Sequence, residues 1–146
     1  MLFTVGYFGY RGDEFVKKLQ EKNIGLLIDV RTSPVSRQDW ANGERLKKLL
    51  NSNGVAYRHY VDLGGRPTDK ELFVGKNVDY DKLIASFAFN EAIGKVVNGL
   101  KTMETLGKPI NIVFMCAEKE KEKCHRWLAV AKAFMGLGYE IEEIER

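Results

Sequence analysis

The chain has 146 residues, 45% hydrophobic and 29% charged, a length and balance that suit one domain with its own core and no need of covalent staples. A net charge of +3 is too mild for a dedicated nucleic-acid binder, yet it tolerates an anionic ligand. No apolar run is long enough to span a bilayer, and residues 1–10 lack the basic and apolar regions of a signal peptide, so both cysteines are expected to be reduced thiols in a cytoplasmic protein.

Phe3 to Tyr7 reads as a first strand, closed by the turn Gly9 to Gly12. A helix follows, with Asp13 as its expected N-cap and Phe15, Val16 and Leu19 on one face. Leu26 to Arg31 is a second strand, apolar until Asp29, and a polar loop with Pro34, Arg37 and Trp40 leads to a helix that Asn42 is expected to cap. Val55 to Tyr60 forms a third strand candidate, and the irregular loop Leu63 to Asp69 contains Gly64 and Gly65. Helical spacing resumes at Leu83 and strengthens from Ile93 to Met103, with Asn90 as expected cap and Gly107 as stop. Ile110 to Met115 is a buried strand ending at Cys116, and after a charged connector Cys124 opens a last helix that Gly138 terminates. Tyr139 to Ile144 completes the set as an edge strand.

Continuous apolar strands alternating with amphipathic helices specify an α/β fold: one three-layer domain over 1–146, a mostly parallel sheet flanked by helices, of rhodanese-like or flavodoxin-like type. Ligands bind such sheets at the carboxyl ends of the strands. The residues that the pattern puts there are Gly6 and Tyr7, Asp29 and Arg31, Arg58 and His59, and Cys116.

Cys116 ends a strand and faces the amino end of the following helix, a position that lowers a thiol pKa and makes it nucleophilic. The plainer reading is a small apolar residue finishing a core strand, and Cys124 can equally be a packing residue under the first helical turn. His125 fits a base or proton donor, or a structural histidine; Arg126 fits an anion contact, or a surface arginine. Asp29 with Arg31 reads as a ligand clamp or as an internal ion pair, and Tyr7 as a base-stacking ring or as core. Cys116, Cys124, His125 and His59 are the chain's only cysteines and histidines, but the adjacency of Cys124 and His125 argues against their sharing one zinc ion, so no metal is expected. A reversible Cys116 to Cys124 disulfide is the other use of the pair, if their Cα atoms come within about 7 Å.

Two resemblances arise at these residues. Leu27-Ile28-Asp29-Val30-Arg31, with Ile112 to Cys116, a helix and Gly138-Tyr139-Glu140-Ile141, resembles the rhodanese-like fold, which implies Cys116 as a persulfide-forming or phosphatase-type nucleophile. In this chain the loop after it, Ala117 to Glu122, holds no glycine and has Glu122 at the place of the phosphatase-type arginine. Over nearly its whole length the chain is similar to the family called domain of unknown function 488. The similarity is carried by Thr4-Val5-Gly6-Tyr7, Leu27 to Arg31, Tyr57-Arg58-His59 with Leu63-Gly64-Gly65, and Met115 to Lys119 with Cys124-His125-Arg126. It implies a cytoplasmic α/β domain without an established reaction.

The expectation is then an enzyme that binds an anionic small molecule or nucleotide, with catalytic Cys116, Cys124 and His125 and binding residues Asp29, Arg31, Arg126, Tyr7, His59, Gly64 and Gly65. A non-catalytic binding domain for nucleic acid or another ligand, using Arg31, Arg37, Arg58, Arg66 and Trp40, stays open beside it, as does a thiol redox sensor. The cofactor, the substrate and the oligomeric state are not specified by the sequence.

Overall fold

A computed structural model describes all residues, 1–146. Five strands, β1 (Leu2–Gly6), β2 (Ile24–Asp29), β3 (Ala56–His59), β6 (Asn111–Cys116) and β7 (Ile141–Glu143), form one sheet in the order β3-β2-β6-β1-β7. Every pairing in it is parallel. A separate antiparallel hairpin, β4 (Phe73–Val74) and β5 (Asn77–Val78), lies between β3 and β6 in the chain. It falls beyond the loop at Leu63 to Asp69 and was not expected from the sequence, although Phe73-Val74-Gly75-Lys76-Asn77-Val78 carries the glycine-first two-residue turn of a hairpin.

The alternation along the strands separates two apolar layers. Phe3, Val5, Leu27, Val113 and Met115 face α1 (Gly12–Glu21) and α2 (Gly43–Asn51) through Phe15, Leu19, Leu46 and Leu50. Leu2, Ile28, Ile112 and Phe114 face the other side, where α3 (Tyr80–Ala85), α4 (Phe87–Thr105) and α5 (Lys132–Gly136) supply Leu83, Phe89, Val96 and Phe134. Each such fully buried side chain contributes roughly 1.5–3 kcal/mol by leaving water. The three-layer α/β architecture expected from the sequence is therefore the one observed. No helix is long and apolar enough to cross a membrane.

Several local expectations are corrected. The first helix begins at Gly12 with Arg11 as N-cap, because the Glu14 carboxylate accepts from the Arg11 backbone N–H, and Asp13 sits inside the first turn. Asn42 does occupy the N-cap of α2, but its side chain turns away to accept from Ser36 N–H and donate to the Ser36 carbonyl, tying down the preceding loop. Ser86, not Asn90, is the N-cap of α4; the Asn90 amide donates back to the Ile84 and Ser86 carbonyls. Strand β2 starts two residues earlier than expected and ends at Asp29, so Val30 and Arg31 belong to the exit of the strand.

The order of the strands positions the site. From β1 the chain moves through β2 to β3 on one side of the sheet, and from β6 to β7 on the other. The connections leaving β1 and β2 run to one face, while the connection leaving β6 runs to the opposite face, which opens a crevice above the carboxyl end of β6. Cys116 is the last residue of that strand.

Candidate active site

The chain after Cys116 turns back on itself. Residues 117–120 cross the end of β1, a single turn of 3₁₀ helix follows at Lys121–Lys123, and the Lys121 ammonium stacks 3.8 Å from the centre of the Trp127 ring. This path returns Cys124 to the end of β6, where its sulfur meets that of Cys116 in a disulfide bond. The sequence expectation of reduced thiols is not the state seen; the contact that the sequence left undecided is made.

Crossing the end of β1 requires Gly6. A Cβ on Gly6 would lie 1.9 Å from the Glu118 carbonyl oxygen, so only a residue without one lets the connector pass. The connector is then held from the other side by Arg126, the first residue of a π-helical stretch, Arg126–Ala131, that runs into α5. Such wide turns are frequent at functional sites. Arg126 was expected to face a ligand anion or the solvent, but it is fully buried and its guanidinium is used within the protein. Nε and Nη2 donate to the two oxygens of Glu143 at 3.1 and 2.6 Å, Nη1 to the Glu118 carbonyl at 2.6 Å, and Nη2 also to the Lys119 carbonyl at 3.3 Å. Thr4 Oγ1 donates to Glu143 at 2.6 Å. Nη1 also lies 3.4 Å from Cys116 Sγ, directing a positive charge at that sulfur.

His125 is held by a carbonyl at the exit of β2. Its Nε2 is 2.6 Å from the Val30 carbonyl oxygen, and because a carbonyl only accepts, that nitrogen carries the proton. In the neutral ring Nδ1 is consequently a lone pair, and it lies 3.7 Å from Cys124 Sγ. Burial pushes the imidazole pKa below its ordinary 6.5, with the Arg126 charge acting in the same direction, so the neutral base is the form favoured at neutral pH. Gly65 packs against this ring: a Cβ there would lie 2.6 Å from Nδ1. Gly64 sits beside it against Thr32. His59 repeats the arrangement one residue further on, with Nε2 2.6 Å from the Arg31 carbonyl oxygen.

Asp29 and Arg31 form the internal ion pair. Arg31 Nε and Nη2 donate to the two Asp29 oxygens at 2.9 and 2.7 Å, the Arg31 backbone N–H donates at 3.1 Å, and Tyr57 OH donates at 2.6 Å. Arg31 Nη1 reaches Tyr7 OH at 3.4 Å, and its guanidinium lies 5.2 Å from the centre of the Tyr7 ring. Tyr7 is buried edge-on against Trp40 and is core rather than a free stacking surface. Burial opposes the Arg31 charge, but the bonds and charge of Asp29 win and its pKa is raised.

Tyr57 carries a pH signature. Burial first, then the hydrogen bond and charge of Asp29, raise its phenol above the ordinary 10.0. The raised group stabilises the fold fully below pH 10.0, its unfolded value, and less as pH climbs toward the folded one. The stability advantage of the native protein over Tyr57→Phe is therefore expected to be constant below pH 10.0 and to shrink above it, as urea melts at stepped pH will show. An advantage that does not change with alkaline pH would contradict the assignment.

Cys116, Cys124, His125 and Arg31 line one cleft of about 1070 Å³, with Gly65 and the hairpin residues Lys76, Asn77 and Val78 on its walls. Its basic side chains are Arg31, Arg66, Lys76, Lys119 and Lys123, against the acidic Glu118 and Glu120. The size suits a small molecule or nucleotide. The structure thus brings together Cys116, Cys124, His125, Arg31 and Gly65, with Asp29 and Gly64 directly behind, while Tyr7 and His59 support the exit of β2. The family model for Domain of unknown function DUF488 matches residues 11–132. The chain belongs to that family. No curated protein and no solved structure matches it. Within the matched residues Asp29 and Arg31 close the exit of β2, and Cys116, Cys124 and His125 meet at the cleft; Gly6, which lets the connector pass, precedes them.

Residues missed in the sequence are those whose partners are distant. Glu143 stands in a run that reads as a solvated edge strand, yet its side chain is 6% exposed beneath Arg126. Tyr57 and the hairpin lysine Lys76 carried no chemical signal, apart from the turn motif beside the latter.

Proposed function

We propose that this chain is a thiol-dependent enzyme acting on an anionic small molecule or nucleotide bound in the cleft. The observation that carries this reading is the meeting of two cysteine sulfurs on a cleft wall, one beside the Arg126 guanidinium and the other beside the bare Nδ1 of His125. In the reduced protein the Arg126 Nη1–H, 3.4 Å from Sγ, is placed to donate a hydrogen bond to a Cys116 thiolate. That thiolate attacks an electrophilic sulfur of the ligand and forms a mixed disulfide, while the ligand's other sulfur departs with the electron pair. Cys124 gives its proton to His125 Nδ1 and attacks Cys116 Sγ, which releases the remaining ligand fragment as a thiolate. The ligand has gained two electrons and the protein holds the disulfide, to be reopened by an external thiol reductant.

The basic walls supply the recognition term. Arg66 and Lys76 attract an anion with side chains not used elsewhere in the site, whereas Arg31 is already neutralised by Asp29 and Lys123 pairs with Glu120 at 3.4 Å. Carboxylate, sulfonate and phosphate groups all satisfy such a wall.

The test is the rate of iodoacetamide alkylation of the reduced protein as a function of pH, with the modified peptides located by mass spectrometry. Cys116 is expected to react at neutral pH faster than free cysteine, and Cys116→Ser to abolish exchange with small anionic disulfides. Two thiols no faster than free cysteine, or exchange that survives Cys116→Ser, would defeat the reading. Mixed oligonucleotides are the comparison ligand: binding that falls steeply with salt and is untouched by Cys116→Ser would move the function to nucleic-acid binding.

A further inference from the structure

We propose that the reduced pair and His125 form a metal-binding site for a zinc-type divalent ion, with an open coordination position toward the cleft. One donor atom from each of Cys116, Cys124 and His125 lies within 4.8 Å of the others, and all three residues line the cleft. Adjacency of Cys124 and His125 was the sequence argument against a shared ion. The geometry removes it, since Cys124 Sγ and His125 Nδ1 are already 3.7 Å apart. Zinc–sulfur and zinc–nitrogen bonds of about 2.3 and 2.0–2.1 Å at a tetrahedral angle set those atoms about 3.6 Å apart.

Three further observations point the same way. The Cα atoms of the two cysteines are 7.7 Å apart. Once the pair is reduced, that spacing leaves room for two thiolates around one ion, whose sulfurs stand about 3.8 Å from each other. His125 Nε2–H donates to the Val30 carbonyl, the outer hydrogen bond by which metal-bound imidazoles are oriented and their tautomer set. Gly65 packs against the imidazole without crowding Nδ1, where any Cβ would lie 2.6 Å from it.

Two thiolates and one neutral imidazole balance the charge of a divalent ion, and this soft donor set selects zinc over magnesium or calcium. Three protein ligands rather than four leave a position for water or for an anion held by the basic wall. The inference rests on the reading above in one respect, that both cysteines are reducible. Metal and disulfide then exclude each other, because each uses both sulfurs: a small disulfide takes two electrons from the thiolates, leaving as two thiolates while the ion is released, and a thiol reductant restores the site. The ion itself changes no oxidation state.

The experiment titrates Co²⁺ into the full-length protein after reduction and removal of the reductant, followed by Zn²⁺ competition. Expected are sulfur-to-cobalt charge-transfer bands saturating at one ion per chain, displacement by Zn²⁺, and no binding after oxidation of the pair, with recovery on reduction. Cys116→Ser, Cys124→Ser and His125→Gln should each weaken the affinity by more than about 100-fold, beyond the 10–100-fold typical of losing an outer partner. Should a variant fail to fold, the oxidised and re-reduced native protein gives the same decision. Absence of charge-transfer bands in the reduced protein, or equal binding by the oxidised one, would overturn the metal site. Alkylation and disulfide exchange measured on the same metal-free sample keep the two readings apart, since thiols that react there without binding cobalt leave the enzyme reading standing alone.

Discussion

Arg126→Met is expected to destabilise the protein by about 3–5 kcal/mol, the range for removing one partner of a buried ion pair. The guanidinium is wholly buried and its bonds reach two segments: Glu143 on β7, and the carbonyls of Glu118 and Lys119 in the connector. Methionine fills comparable volume, so the loss is chiefly electrostatic. Glu143 keeps only Thr4 as partner, and two carbonyls lose their donor. Urea unfolding should show a lower midpoint with an unchanged slope. Pairing the change with Glu143→Leu should recover a large part of the loss, since an apolar replacement of both partners is often neutral. A single variant within about 1 kcal/mol of the native protein would show that the pair does not hold the connector.

Asp29→Asn should cost about 3 kcal/mol or more by the same logic, and it should also alter the ligand wall. Asp29 is fully buried and accepts from the Arg31 backbone, both arms of the Arg31 fork and Tyr57. An amide retains one accepting oxygen and presents two donors toward groups that are themselves donors. Arg31 is left with an unmatched charge, and the Tyr57 phenol should titrate lower once the carboxylate is gone, since burial and Asp29 together raise it. Ultraviolet titration of the tyrosines and a urea melt on one preparation examine both effects. A Tyr57 that titrates as before would show that Asp29 is not the group acting on it.

These two ion pairs differ in how far the sequence revealed them. Asp29 and Arg31 are two residues apart at a strand end, so their side chains emerge on the same side of the chain, and an internal pair was one of two readings of that spacing. Arg126 and Glu143 are 17 residues apart on different elements, and Glu143 looked like one of several glutamates on an exposed edge. Edge alternation says which side a residue faces. It does not say that an arginine from a neighbouring helix covers it.

The same division runs through the site. Placing Cys116 at the carboxyl end of a buried strand followed from a local apolar run, and Cys124 at a helix start from apolar spacing. Their contact depends on a connector that folds back over Gly6, a path set by the ends it must join and by Arg126. His125 was legible as a titratable group beside Cys124, but its tautomer comes from a carbonyl 95 residues away, at Val30.

By itself, the sequence determined the succession of the five sheet strands and of the main helices between them, the two-sided burial of the sheet and the group of polar residues at its carboxyl edge. Hydrophobic period and terminal signals are properties of neighbouring residues, so they can be read without knowing what packs against them. Only the tertiary structure decided the order β3-β2-β6-β1-β7, the Arg126–Glu143 pair and the convergence of two sulfurs and one imidazole nitrogen. Those depend on which strands lie side by side and where the connecting loops close. They arise from contacts between segments far apart in the chain, which no local period records.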